Sequence, residues 1–511
     1  MSAPAPDESS PSVPLSPLRR QIVTGGLLLG MALGALEATV VATAMPTVIA
    51  RLGGLAHYSW VFSAYMLTST ASVPVWGRLS DLRGRRALYL IGLWIFLIGS
   101  ALAGAAQSML QLVVFRAVQG LGAGCIVPVS VTIVGEIYTL RERARMQAVF
   151  SGMWGVASIL GPLAGGYITD AISWRWIFLI NVPLALVAAI VVGRTLPGGA
   201  PAQHAHVDWR GAALLTGSVA ALLVGLSDVV GVRWPWFVVS AACVAGLITA
   251  YRRTAHPILP LALLSHRLIA LSNIIVFLIG VAMFGAVAFV PLFVQGTMGL
   301  TATEAGQILT PLFLGWVSTS VIGVRLMLRI GYRITTQIGA ALVAIAFVFL
   351  GLIGAEPRWG TLISIMALIG CGMGFSMLSL LLHVQRSVSR AELGLATSLN
   401  QFARSIGGAI GVTIMGAILA AGMATNGGLG ASEGAGASAV SLDPASRAAL
   451  GAALRRVFAT GAVISAAGFL VALALPAEEG AGRVRAGAGE QMLAAEMTTL
   501  EPEDEPVALK E

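Results

Sequence analysis

Glu37 lies in a run from Ile22 to Ala44 that holds no other ionisable group and is long enough to cross a bilayer. A carboxylate at the centre of such a helix costs roughly 2.5–3.5 kcal/mol on insertion scales, so chains rarely keep one without a use for it. The plain alternative is a neutral acid that hydrogen-bonds a neighbouring helix. The position favours a proton or cation site within a transport path. Arg116 lies in a second apolar run. Counted from the outer ends of their spans at a 1.5 Å rise per residue, Arg116 and Glu37 sit at similar depth. A buried guanidinium needs acceptors, and Glu37 is the only acid deep in this half of the chain. The two are therefore expected to face one cavity. Burial penalises the charged carboxylate while a nearby guanidinium favours it, an opposition that can bring titration near working pH. A purely structural Arg116, bonded to backbone carbonyls or to Gln119, is the alternative.

Little else in the chain could do chemistry. Cys125, Cys243 and Cys371 fall in apolar segments with neither CxxC spacing nor histidine neighbours, which argues against a disulfide framework or zinc site. The six histidines are scattered, and neither a GxxxxGK[ST] phosphate loop nor a hydrolase triad is present. No enzyme, metal or cofactor is expected, and the energy source is expected to be a gradient or a separate partner. Of 511 residues, 57% are hydrophobic and 11% charged, against about a quarter charged in soluble domains. The surplus apolar surface must face lipid. The net charge of +8 sits in short arginine clusters between apolar runs, which membrane topology explains better than nucleic-acid binding.

Runs of about 20 apolar residues predict fourteen spans, at 21–48, 59–79, 87–106, 110–135, 146–169, 175–195, 211–230, 235–252, 268–296, 305–327, 334–354, 360–384, 394–421 and 453–476. With the N-terminus inside, the inner loops collect Arg83, Arg85, Arg86, Arg141, Arg143, Arg145, Arg325, Arg329 and Arg333, among others. The outer loops hold isolated residues such as Arg51, Arg175 and Arg358. That asymmetry follows the positive-inside rule and places both termini in the cytoplasm. Residues 1–20 and 477–511 read as disordered tails, and the Gly/Ala/Ser-rich stretch 422–452 as a flexible outer loop.

The loop between spans two and three reads Gly77-Arg78-Leu79-Ser80-Asp81-Leu82-Arg83-Gly84-Arg85-Arg86. Gly84 permits a sharp turn and Asp81 can pair with arginines or cap a helix. This string resembles the GxLxDxxGRR signature of the major facilitator superfamily. A weaker echo sets Leu326, Arg329, Gly331 and Arg333 on Leu79, Leu82, Gly84 and Arg86 at one constant offset of 247, with Leu328 in place of Asp81. Leu36 to Pro46 is similar to the first-span signature of drug:proton antiporters, with Glu37 where the pattern has Asp. Arg116 to Gly122 resembles the family's RxxQGxG motif. Gly155 followed by Gly161, Pro162, Gly165 and Gly166 matches the antiporter motif GPxxGG. Trp174 to Pro183, with Asn181, and Gly394 to Gly411, with Asn400, Gln401, Arg404, Gly407 and Gly408, resemble signatures of the fourteen-helix branch.

The resemblance implies an all-α membrane protein with the major facilitator fold: an N-terminal six-helix half over 21–200, two inserted helices over 201–260 and a C-terminal six-helix half over 261–476. It implies proton coupling through Glu37 and Arg116, a proton gradient as the energy source, and a gating cluster of Gly77, Asp81, Gly84, Arg85, Arg86 and Glu136. Glu136 has Arg85 and Arg143 as possible partners. Span five is expected to bend or seal, because its glycines allow close approach and Pro162 interrupts its hydrogen-bond ladder. Gln119, Gln295, Asn400, Gln401 and Arg404 are candidates for a substrate cavity. One acid in a largely apolar wall suits lipophilic, neutral or singly cationic compounds. The expected protein is a multidrug efflux antiporter of the cytoplasmic membrane, working as a monomer, with protons, small lipophilic substrates and the bilayer as partners. An exporter of one metabolite on the same fold and a transport-inactive receptor are the alternatives.

Overall fold

The computed structural model describes residues 15–198, 208–227, 232–251, 261–354, 357–388, 392–425 and 444–476. They form fourteen long helices, each coinciding with one expected span. These are α1 Pro17–Leu52, α2 Tyr58–Arg83, α3 Arg85–Ala105, α4 Met109–Ile137, α5 Leu140–Ala171, α6 Trp176–Thr195 and α7 Trp209–Leu226. They continue as α8 Trp234–Tyr251, α9 Arg267–Gly296, α10 Ala302–Ile330, α11 Tyr332–Gly351, α12 Trp359–Arg386, α13 Leu393–Thr425 and α14 Pro444–Leu473. No strand occurs among the described residues. Helices satisfy every backbone donor and acceptor within one segment, which the hydrocarbon of a bilayer demands. Twelve of the fourteen are long and apolar enough to cross a membrane by length and composition. The other two are α2 and α5. Serines and threonines crowd α2, where Thr68 Oγ1 donates to Ala64 O at 2.9 Å and Ser69 Oγ to Met66 O at 3.1 Å, so their hydroxyls are returned to the helix. α5 opens on the charged stretch Arg141-Glu142-Arg143.

The six helices α1–α6 and the six helices α9–α14 repeat one packing plan. In the first half α2 packs on α4, α3 on α4 and α6, and α1 on α5 and α6. In the second, α10 packs on α12, α11 on α12 and α14, and α9 on α13 and α14. The joints repeat as well. Gly84 links α2 to α3 at φ 85°, and Gly331 links α10 to α11 at φ 89°. A single-residue connection with φ in this range is open to glycine and strained for other residues. Arg86 then donates to Gly193 O at the end of α6, and Arg333 Nη2 to Leu473 O at the end of α14 at 3.3 Å. The offset of 247 read from the sequence thus marks equivalent corners. Between the halves, α7 and α8 pack on each other; α7 touches α2 and α13, while α8 is almost wholly exposed.

The end of the bundle where α1 begins and α14 finishes is called basal here, the opposite end distal. All cross-half hydrogen bonds among the described residues are distal. Tyr58 Oη donates to Ala288 O, and Ser63 Oγ to Ala409 O at 3.1 Å. Gln295 Nε2 donates to Thr43 O at 2.8 Å. Asp170 accepts the Thr303 N–H at 2.7 Å and hydroxyl at 2.6 Å, and the Ala302 N–H at 3.3 Å, so a carboxylate of one half caps the first helical turn of α10 in the other. The largest buried apolar cluster runs through this clasp from α1 and α2 into α9, α10 and α14. A second lies within the basal part of the first half, on α1, α3, α4 and α6. Helix occupies both ends of the stretch read as an outer loop over 422–452, because α13 runs to Thr425 and α14 starts at Pro444, where a proline fits the first turn. Of the stretches read as disordered tails over 1–20 and 477–511, Pro17 to Arg20 instead form the first turn of α1, where a proline fits, and residues 1–14 and 477–511 lie outside the described residues.

Candidate functional site

Glu37, twenty residues into α1, and Arg116, near the distal start of α4, meet in the interior of the first half, at 1% and 2% exposure. Arg116 Nη1 donates to Glu37 Oε1 and forms an ion pair with it. Asn181 Nδ2 donates to the other oxygen, Oε2, at 2.6 Å. The guanidinium is held on its remaining sides too: Nη1 reaches Gln119 Oε1 at 2.7 Å and Nε reaches Val61 O at 3.3 Å. Its Cζ lies 4.1 Å from the centre of the Tyr65 ring. Gln119, fully buried, passes its own amide hydrogen to Ser100 Oγ at 2.7 Å. The network therefore joins α1, α2, α3, α4 and α6 around one carboxylate. An ionised Glu37 fits this setting because both oxygens face donors. A protonated Glu37 would release the charge that draws Arg116 to it, leaving the guanidinium to Gln119, Val61 O and the Tyr65 face.

The structure brings together Glu37, Arg116 and Gln119, the last of which belongs to this network rather than to an open wall. Asn181 and Tyr65 had no assigned role in the sequence reading. Asn181 carried a usable signal, since an amide inside the apolar α6 run is rare for the same reason as Glu37. Tyr65 carried none, because an aromatic residue in a helix reads as packing.

Arg85 and Glu136 form an ion pair between the start of α3 and the end of α4. The pair joins two helices of the same half and is formed while the distal end is closed. The side chain of Asp81, like those of Arg78, Arg141, Arg143 and Arg145, lies outside the described residues. Gly77 is within α2, where nothing would obstruct a side chain. Next to this corner, Thr139 N–H donates to Glu142 Oε2 at 2.9 Å in a capping box that starts α5, and Arg20 of α1 bridges to Glu142 at 2.8 Å.

Pro162 and the glycines of α5 line its two contacts. A Cβ on Gly161 would collide with Thr39 of α1, and one on Gly165 with the Val40 carbonyl and Thr43. Gly166 abuts the Ala302 carbonyl of α10, and Gly306 of α10 abuts the Pro162 carbonyl, so the two halves touch backbone to backbone here. Gly155, closer to the basal end, meets only Val317, at ordinary contact distance.

The remaining candidates fall elsewhere. Gln295 is part of the distal clasp, bonded to Thr43 and Thr47. Asn400 and Arg404 lie one turn apart on α13, with Gln401 exposed beside them. Asn400 is 7% exposed and its Nδ2 has no hydrogen-bond partner, and neither has the buried Nε of Arg404. The Arg404 guanidinium lies 5.8 Å from the centre of the Trp316 ring of α10.

A two-half helical bundle clasped at one end, with a saturated ion pair inside one half, is the architecture of a secondary transporter. The chain belongs to the Major Facilitator Superfamily, whose pattern it matches over residues 27–412. It is 38% identical over 408 residues to the multidrug transporter protein MdtP of Bacillus subtilis, covering 78% of this chain and 75% of that one. It is 35% identical over 406 residues to multidrug resistance protein 3 of the same organism, covering 78% and 79%. Among solved structures, a bacterial homologue of the human lysosomal transporter Spinster, inward-facing and unoccupied, superposes with a TM-score of 0.65 at 16% identity. That match covers 91% of this chain and 100% of the other.

Proposed function

We propose that this protein is a proton-coupled antiporter that exports lipophilic, neutral or cationic compounds across the cytoplasmic membrane by alternating access. Its relatives named for multidrug transport support the substrate breadth. The observation that carries the coupling is the buried Glu37 carboxylate, with Arg116 on one oxygen and Asn181 on the other. The basal end faces the cytoplasm in this reading, because Arg83, Arg85, Arg86, Arg329 and Arg333 gather at basal corners while Arg51, Arg175 and Arg358 are distal. The closed distal clasp then makes this the state open toward the cytoplasm. Both termini are cytoplasmic and one chain suffices for transport.

A proton arriving from outside loads Glu37 when the distal end is open. Neutralising the carboxylate removes its pull on Arg116 and so changes how α4 is held to α1. Release of the proton inward restores the pair. Outward movement of substrate is exclusive with the loaded proton, so each cycle couples the two fluxes. The glycine-lined contacts of α5 with α1 and α10 are where the halves can part and reseal. Glu37→Gln in proteoliposomes is expected to bind substrate yet lose flux driven by an imposed pH gradient. Coupled export at the wild-type rate would sink the assignment of Glu37 as proton carrier.

A further inference from the structure

We propose that Arg404 and Asn400 of α13, walled by Trp316 of α10, form a subsite that takes the carboxylate or an equivalent acceptor end of a lipophilic substrate. This rests on the transporter reading above and extends its substrates beyond neutral and cationic compounds. Asn400 is more than nine-tenths buried, and its Nδ2 donor has no partner. Four residues on, and so on the same face of the helix, Arg404 buries its Nε with no partner either. Among the described residues no carboxylate pairs with Arg404, and its guanidinium lies 5.8 Å from the centre of the Trp316 ring.

Donors left unbonded inside a protein are costly, and one on a charged group, as the buried Nε of the half-buried Arg404 is, more so. The guanidinium cannot relieve this by losing its proton. Both orphan groups are donors, so what satisfies them is an acceptor. A carboxylate is the closest match, because it takes a guanidinium fork and a further amide N–H on its two oxygens.

The location suits substrate rather than structure. α13 packs on α9, and α10 on α12, so Arg404 reaches from one packing pair to the other. The same two helices meet α2 and α5 of the other half, and thus frame the space between the halves. Basal of the clasp that space has no cross-half hydrogen bonds among the described residues. The Trp316 face supplies an aromatic wall for the apolar body that such a substrate must also carry.

The test uses the full chain in nanodiscs of neutral phosphatidylcholine and a matched probe pair, 1-naphthylacetate and its primary amide, with binding read by equilibrium dialysis. Wild type is expected to bind the acid about tenfold or more tightly than the amide, as charge-assisted bonding predicts. Arg404→Gln should bring the acid down to the amide level and leave the amide within about twofold, and Arg404→Lys should fall between, keeping the charge but not the fork. Asn400→Ala should weaken the acid alone. No preference for the acid in wild type, or equal loss of both probes in Arg404→Gln, overturns the proposal. So does displacement of the acid when anionic phosphatidylglycerol is added, if that displacement depends on Arg404, because the site would then belong to a lipid headgroup. Ethidium flux under a pH gradient is measured on the same preparations. Ethidium transport without acid preference fails the subsite alone, and acid preference without any driven flux fails the transporter reading alone.

Discussion

The two halves share a frame and differ in their interiors. Each repeats the same order of helix packing, turns its second helix into its third at a glycine of positive φ, and ties an arginine two residues later to the end of its last helix. Yet the offset that aligns these corners sets Phe284 opposite Glu37 and Ile363 opposite Arg116. The first half encloses an acid, a cation and amides that satisfy one another. The second holds two buried donors without a partner, Asn400 Nδ2 and the Nε of a half-buried Arg404. Duplication preserved the parts that set geometry, whereas the polar groups, which carry the chemistry, diverged. The proposed function divides the labour accordingly: a self-contained ionic network suits a proton that comes and goes, and a pair of unpartnered donors suits a visiting molecule.

The strongest challenge to that contrast is to delete Arg116 and Arg404 in turn. Arg116→Met leaves the Glu37 carboxylate buried with only Asn181, and breaking such a pair costs about 3–5 kcal/mol. Arg404→Met removes a cation that no carboxylate compensates, so stability should hold or rise. Thermal unfolding in detergent reads both, and equal losses would mean that Arg404 is as structurally engaged as Arg116. The next effect probes the shared frame. Gly84→Ala and Gly331→Ala each force a side chain into a strained backbone region, at about 1–3 kcal/mol, and the two losses should match. Transport should fall further in Gly84→Ala, because Arg85 follows that glycine directly and forms the ion pair with Glu136 that the second half does not repeat.

Much of this frame is legible in the sequence. All fourteen helices coincide with the expected spans, and in twelve of them the apolar run is long and unbroken enough to be a one-dimensional signal by itself. The Glu37–Arg116 meeting was legible for a different reason: two costly groups at matching depth have few ways to be satisfied. Gln119 reads equally as part of the substrate wall, because its spacing from Arg116, three residues on one helix, does not say whether the amide turns toward the arginine or toward a cavity. Gln295 was likewise out of reach, since its partner Thr43 O lies 252 positions away and backbone carbonyls leave no trace in composition. The clasp of Asp170 on α10 is not legible in the sequence, because an acid near a helix end reads as solvated unless the opposing helix start is known.

That clasp gives the third test, smaller than the glycine substitutions. Asp170→Ala removes the acceptor for the Ala302 and Thr303 amides, a loss of about 1–1.5 kcal/mol in local stability, or roughly tenfold faster amide exchange. Hydrogen exchange should show the change in the first turn of α10, while the first turn of α5, which caps itself within its own half, stays protected. Unchanged exchange at α10 would remove Asp170 from the set of contacts that hold the distal end shut.

The smallest effect separates two capping boxes of the same chemistry. Thr139 and Glu142 start α5, and Thr301 and Glu304 start α10, but only the first has an arginine from another helix, Arg20, on its carboxylate. Glu142 lies basal to the apolar part of α5. The Thr139 N–H above all, then the Thr139 hydroxyl and Arg20, hold its carboxyl below the ordinary 4.5, against a smaller opposing effect of burial. A carboxyl depressed in the folded state stabilises above its unfolded value, and that contribution is lost as pH falls through the lower folded value. Protection of the first-turn amides of α5, corrected for intrinsic exchange, should therefore persist at pH 4.5 and fade only below it. Arg20→Ala removes one of the effects that lower the carboxyl, so fading should begin at higher pH in α5 while the α10 profile stays where it was. If the α5 profile does not move, Arg20 contributes position without charge stabilisation, and the basal corner of the first half is held by the capping box and the Thr24–Tyr138 hydrogen bond at 2.7 Å instead.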